Sequence, residues 1–258
     1  MAYSSIMLET KERKALITLN RPEVMNAINK GMNQDVCDAL DEVERDKNID
    51  VVIFTGSGRA FFTGLDIKDI EKEKGLPILT ASMMAKTLRM SKPTIAAVNG
   101  FAITGGFELA LSCDIIIASE KAMFADTHSR VGVLPGAGLS QLLPRLVGIK
   151  KAKELSFTGN FMNAQEALQF GLVNRVVHPS QLLPAAERLA DDIISVDQRA
   201  VRKLKDIIDK GEGMTLDDAL MMEIYEHMMH LKNKDFEDMG ERRVNILERG
   251  RRQARIHK

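Results

Sequence analysis

The residues best suited to chemistry in this chain cluster at Ile103-Thr104-Gly105-Gly106-Phe107-Glu108-Leu109-Ala110. An apolar run, Thr94–Val98, meets a turn at Asn99-Gly100; two adjacent glycines then precede a glutamate in helix-forming company. Glycine carries no side chain to block a ligand, so backbone N–H groups at a helix start approach a substrate oxygen directly. A carboxylate one turn later stands within reach of a proton on whatever those amides hold. The pattern reads as an oxyanion hole beside a general base, Glu108, written in about five residues. The plainer alternative is a strand, a tight turn and an amphipathic helix whose Glu108 faces solvent, because Gly-Gly turns are common.

A second stretch supports the chemical reading. Val51-Val52-Ile53-Phe54 has the composition of a buried strand, Thr55-Gly56-Ser57-Gly58-Arg59 that of a loop, and Gly64-Leu65-Asp66-Ile67-Lys68 follows two residues after Phe61-Phe62. A glycine bend at this point supplies a second backbone amide, from Leu65.

Alternating strands and helices must position these residues. Ile6–Glu9 and Lys14–Leu19 alternate in polarity as an opening hairpin, and residues 32–45 carry helical spacing through Met32, Val36, Ala39, Leu40 and Val43. Strands over 51–54, 94–98 and 114–118 alternate with helices over 80–90 and 106–112. Recurrence at short intervals predicts an α/β architecture with strands buried on both faces. From about Pro184 onward the pattern turns helical, over 185–195, 198–210 and 215–232, with a highly charged stretch at 235–251. The expected division is a core over residues 1–195 and a helical region over 196–258.

Composition narrows the classes. A chain of 258 residues, 45% of them hydrophobic, buries a large core. Formal net charge is zero, from 36 basic and 36 acidic residues, so bulk electrostatics does not favour nucleic acid. No apolar run approaches the roughly 18 residues of a membrane span, and Met1–Ser5 lacks the features of a signal peptide. The expectation is a cytoplasmic protein without nucleic-acid or membrane partners. Cys37 and Cys113 have no His or second Cys at ligand spacing.

Rival motifs fail on inspection. Gly56-Ser57-Gly58 and Gly136-Ala137-Gly138 begin like dinucleotide fingerprints, but Phe61 and Gln141 stand where the third glycine belongs. Ser57 does not complete a Gly-x-Ser-x-Gly elbow. His227 and His230, among Met221, Met222, Met228 and Met229, have helical spacing, and methionine there suits a core or acyl pocket better than a metal site. No metal is expected.

Phe54-Thr55-Gly56 through Gly64-Leu65-Asp66-Ile67-Lys68 resembles the first signature of the enoyl-CoA hydratase/isomerase (crotonase) superfamily. Ile95–Gly100 through Glu108-Leu109-Ala110 and Cys113-Asp114 is similar to the second. The likeness extends to Leu19-Asn20-Arg21-Pro22, Asn26-Ala27, Pro135–Gly138, Leu143-Pro144-Arg145, Thr158-Gly159 and Gly171-Leu172-Val173. It implies a crotonase-like spiral of repeated ββα units with a C-terminal helical region that packs subunits into homotrimers or homohexamers. It also implies an acyl-CoA substrate, as met in fatty acid metabolism, and no separate cofactor, coenzyme A being part of that substrate.

Carried onto this chain, the oxyanion-hole amides are those of Leu65 and Gly105, and Leu65, Asp66, Ile67 and Lys68 line the coenzyme A cleft. Lys68, Arg21 and Arg59 are candidate cations for its phosphates. Asp66 suits holding its loop better than touching substrate. Hydratases of this family hold a water between two glutamates. Glu108 falls on the first, but His128 occupies the second position. An imidazole orients water and exchanges protons near neutrality; alternatively, His128 bonds to Asp126 or backbone while Glu108 acts alone. The resemblance implies a lyase that adds water to a 2-enoyl-CoA thioester through an enolate. Isomerisation or another enolate-based lyase reaction is the alternative within the class, and a non-catalytic acyl-CoA-binding protein the alternative outside it. Family isomerases keep the second carboxylate and lose the first, the reverse of this chain. Aryl-CoA dehalogenases need an aspartate near Gly136, where none stands.

Overall fold

A computed structural model describes residues 3–66, 81–232 and 239–256. The chain divides into two compact units, Met1–Arg202 and Lys203–Lys258.

The first unit is built on a six-stranded sheet in the order β1 (Ile6–Lys11), β2 (Lys14–Leu19), β3 (Val51–Gly56), β5 (Thr94–Val98), β7 (Ile115–Ser119) and β10 (Arg175–Val177). Only β1 and β2 pair antiparallel in it; the other neighbours run parallel. Strand periodicity of two decides what each face buries. Val51, Ile53, Ile95, Ala97 and Ile117 pack with Leu182, Ala185, Ala186 and Ala190 of α7 (Leu182–Ile194). Val52, Phe54, Ala96, Val98 and Ala118 face the larger core on the other side, which contains Met32, Val36 and Leu40 of α1 (Lys30–Arg45) and Met83 and Met84 of α2 (Ala81–Leu88). Burial on both faces accounts for the unbroken apolar runs of β3 and β5.

A second, four-stranded sheet runs in the order β4 (Ala60–Phe62), β6 (Phe101–Ile103), β8 (Met123–Ala125) and β9 (Met162–Asn163), parallel except for the last pair. Thus β3–β4, β5–β6 and β7–β8 repeat one unit, each turn stacked on the one before, as in the spiral that the family resemblance implies. The stacking is tight at the corners. A Cβ on Gly100 would overlap the Arg59 carbonyl, so only glycine fits. Beside it, Asn99 Oδ1 accepts from Gly56 N at 3.1 Å, and its Nδ2 donates to the Gly58 and Ala60 carbonyls. Asn26, fully buried with φ +58°, donates to the Ser57, Ala60 and Phe61 carbonyls and accepts from Arg21 N. Two asparagines therefore satisfy the carbonyls that this corner would otherwise leave buried and unpaired.

Three further helices complete the unit around the site: α3 (Gly105–Ser112), α4 (Leu139–Val147) and α5 (Ile149–Thr158), with α6 (Ala164–Gln169) before β10. Asp50, buried at the foot of β3, receives Arg13 at 2.6 Å and Arg202 at 2.9 Å. Lys92, fully buried, donates to the Val43 and Asp46 carbonyls, capping the C-terminal end of α1.

α8 (Gln198–Gly211) leads into the second unit, which holds α9 (Leu216–Lys232) and α10 (Met239–Ile256). Within it, Lys203 pairs with Glu226 at 2.9 Å. No helix among the described residues is long and apolar enough to cross a membrane.

Candidate active site

The site grows from the junction of β6 and α3. Thr104, between them, has φ +55° and ψ −110°, a strained backbone for a β-branched residue. Three bonds hold it there. Its N–H donates to the Ala125 carbonyl at 2.9 Å, its carbonyl accepts from Glu108 N at 3.0 Å, and its hydroxyl meets that of Thr127 at 2.6 Å. The strain turns the chain abruptly from strand to helix, so that Gly105 opens α3 with its amide beyond the reach of the intrahelical ladder.

Gly106 seats that helix against the first sequence signature: a Cβ there would overlap the Phe62 carbonyl oxygen. The contact draws residues 62–65 alongside the helix start. A methyl built on Gly64, at φ +83°, would stand 3.6 Å from Gly105 N. Ile28 N donates to the Gly64 carbonyl at 2.7 Å, and Asp66 N to the Ile28 carbonyl at 2.9 Å. With its neighbours bonded to Ile28, the intervening Leu65 turns its own N–H to the opposite side of this extended segment. The structure thus brings Gly64, the residue before Leu65, beside Gly105.

Asp66 is buried and accepts from Arg21 at 2.9 Å, while Arg21 also donates to the Ala27 carbonyl at 2.5 Å. Both side chains therefore hold the loop, which removes Arg21 from the free cations that the sequence offers for a phosphate. Ile67 and Lys68 lie outside the described residues. Arg59 is exposed at the β3–β4 corner.

Glu108 lies one turn into α3, only 4% exposed. It does not face solvent, which disposes of the plainer reading of its sequence. Its Oε1 accepts from Ala137 N at 2.8 Å, and the Leu139 amide at the start of α4 adds a second bond. Burial pushes the Glu108 carboxyl above its ordinary value; the bonds from Ala137 and Leu139 and the nearby His128 offset only part of that. The sequence gives no sign of this support, because a backbone amide has no side-chain signature.

His128 opens a 3₁₀ turn over His128–Val131, just past β8, and is buried. Its Nε2 stands 3.9 Å from Glu108 Oε2. That gap is too long for a direct hydrogen bond and suits one water shared by both groups. On the far side, His128 Nδ1 lies 2.7 Å from Asp126 Oδ1, which also accepts from His128 N at 3.2 Å. The twenty-residue excursion through β7 and β8 does return residue 128 to residue 108. Among the described residues no group of three His, Cys, Asp or Glu side chains is placed to hold a metal.

The raised Glu108 carboxyl has a stability consequence. A carboxyl whose folded value lies above its unfolded one contributes stability that is full below the unfolded value, 4.5, and is lost as pH rises through the folded value. Glu108→Gln keeps the carbonyl that Ala137 addresses and removes the buried charge. Its melting temperature is expected to exceed that of the parent at pH 7, with the gap closing as pH falls towards 4.5. Thermal unfolding across that pH range checks this, and a variant that melts lower at pH 7 contradicts it.

Known proteins resemble this chain over most of its length. The family model for enoyl-CoA hydratase/isomerase matches residues 9–252. The chain is 41% identical over 217 residues to a probable peroxisomal enoyl-CoA hydratase 1 of Arabidopsis thaliana, covering 81% of this chain and 80% of the relative. It is 40% identical over 229 residues to a crotonyl-CoA hydratase of Syntrophomonas wolfei, covering 86% and 88%. Among solved structures, an enoyl-CoA hydratase from Bacillus anthracis superposes with a TM-score of 0.87 at 33% identity, covering 93% of this chain and 97% of that one. The chain belongs to the enoyl-CoA hydratase/isomerase family.

Proposed function

We propose that this protein is an acyl-CoA hydratase, adding water to a 2-enoyl-CoA thioester to give a 3-hydroxyacyl-CoA. The observation that carries the reading is the facing of Glu108 Oε2 and His128 Nε2 across 3.9 Å beside the start of α3. The thioester oxygen accepts from the Leu65 and Gly105 amides. As water adds at Cβ, negative charge gathers on that oxygen and the fixed N–H dipoles stabilise it; losing one such donor costs about 10²–10³ in rate. Glu108 and His128 hold the water between them and exchange the proton that must reach Cα. Relatives named enoyl-CoA hydratase or crotonyl-CoA hydratase at about 40% identity support the same chemistry.

His128 also favours a second reading. With an imidazole in the second position, the same enolate frame serves double-bond isomerisation or a related lyase step. A panel of linear and cyclic enoyl-CoAs, followed by loss of the conjugated thioester absorbance, separates them. Hydration of at least one member is expected; turnover of another acyl-CoA with no enoyl-CoA hydrated overturns the hydratase reading.

The same pair predicts a ranking among variants. His128→Ala is expected to lower kcat by less than Glu108→Ala, and His128→Glu to retain hydratase activity by restoring a two-carboxylate site. Steady-state kinetics on the variants check this, and a His128→Ala protein with unchanged rate and pH profile makes His128 structural.

The helical second unit supplies the subunit contact in this reading. Along α9, Leu216, Met221, Tyr225 and Met228 are all exposed, an apolar series that suits packing against another copy in a homotrimer or homohexamer.

A further inference from the structure

We propose that Asp126 is a positioning residue that holds the His128 imidazole with its Nδ1–H towards the Asp126 carboxylate, so that the unprotonated Nε2 faces Glu108 and takes the proton of the attacking water. The inference rests on the hydratase reading for its catalytic half, while its structural half stands on geometry alone.

Asp126 follows β8 directly and is 1% exposed. Among the described residues its partners are the His128 ring at 2.7 Å, the His128 N–H at 3.2 Å and the Ser156 hydroxyl. No lysine or arginine pairs with it there. A buried carboxylate without a cation is costly unless hydrogen bonds meet its lone pairs. Nδ1–H is the strongest donor within reach. Burial alone would raise this carboxyl, but the bonds from His128 and Ser156 outweigh it and hold Asp126 below its ordinary range. It is therefore an acceptor, and an acceptor facing Nδ1 selects the tautomer with the proton on Nδ1.

The consequence falls on the opposite nitrogen. Nε2 carries a lone pair and points to Glu108 Oε2, while Glu108 Oε1 is occupied by the Ala137 amide. A water between them donates to Nε2. Its O–H bond breaks, the proton passes to Nε2, and the oxygen forms the bond to Cβ. The C=C pair moves into the enolate, whose charge rests on the thioester oxygen. Asp126 then faces an imidazolium and stabilises it. Glu108, in the protonated form that its burial favours, gives its Oε2 proton to Cα as the enolate collapses. The imidazolium returns its proton to the Glu108 carboxylate through the next water, and the cycle closes with one water consumed. Asp126 divides the labour between the two groups by fixing a tautomer.

The test combines ring ¹⁵N signals with kinetics. The chain has five histidines, so histidine-labelled protein gives a small spectrum, and the His128→Ala spectrum assigns His128. In the parent protein, a pyrrole-type Nδ1 and a pyridine-type Nε2 are expected. Asp126→Asn keeps an oxygen for the His128 N–H but offers the ring either a donor or an acceptor. The tautomer preference is expected to weaken, and kcat to fall by about 10²-fold or more with KM little changed, as when a tautomer-fixing aspartate is replaced elsewhere. A parent His128 protonated on Nε2, or Asp126→Asn with parental kcat, overturns the proposal. The parent spectrum is recorded and assigned without Asp126→Asn, so misfolding of that variant leaves it decisive. If the parent hydrates no enoyl thioester, the hydratase reading falls separately, and the ring signals alone decide the role of Asp126.

Discussion

Glu108→Ala lowers kcat for hydration of an enoyl-CoA by about 10²–10⁴, the range for a positioned acid or base. The side chain is buried, bonded through one oxygen to the Ala137 amide, and turned through the other towards His128. Alanine removes the proton carrier and leaves the Ala137 and Leu139 amides without their acceptor. Binding of coenzyme A is expected to persist, because the residues read as its cleft lie on a different loop. In combination with His128→Ala the loss is expected to be far less than the product of the two, since both groups act on one water. Steady-state rates of the two single variants and the double variant measure this; simple multiplication of the losses contradicts a shared water.

The second large effect is on folding. Gly106→Ala places a methyl onto the Phe62 carbonyl oxygen, a backbone atom at the end of β4 with no freedom to rotate aside. Relief requires α3 to withdraw from β4, which parts the Leu65 and Gly105 segments. A destabilisation of about 3 kcal/mol or more is expected, together with loss of activity even where the protein still folds. Denaturant unfolding and the enoyl-CoA rate measure both. Near-parental stability and rate would mean that this contact does not set the geometry of the site.

Much of this architecture is written locally. The unbroken apolar runs at 51–54 and 94–98, the helical spacing of 32–45 and the Gly-Gly-x-Glu pattern at 105–108 each announce their element. The inner strands Ala60–Phe62, Phe101–Ile103 and Met123–Ala125 do not, since three residues carry no periodicity and their pairing joins segments some twenty to forty residues apart. The candidate site divides in the same way. Glu108 and the glycine-bearing turns that carry the Leu65 and Gly105 amides are recognisable by residue type and spacing, whereas His128 stands out only through the resemblance to the family's second glutamate position. The pairing of Arg21 with Asp66 is not, because nothing near either residue shows that chain separation of 45 ends in contact. Arg21 consequently reads as a free cation in sequence and as a loop brace in the structure. The Ala137 amide is invisible for a different reason: any residue but proline supplies one. The strain at Thr104 is hidden too, since threonine ordinarily avoids positive φ.

One measurement tests the central claim most directly. Crotonyl-CoA is incubated with the protein in water enriched in ¹⁸O, and the acyl product is analysed by mass. If the Glu108–His128 pair delivers water to a thioester held by the Leu65 and Gly105 amides, the product is 3-hydroxybutyryl-CoA with one ¹⁸O on C3. Recovery of unlabelled, merely isomerised or unchanged thioester, repeated with longer and cyclic enoyl-CoAs, would contradict it.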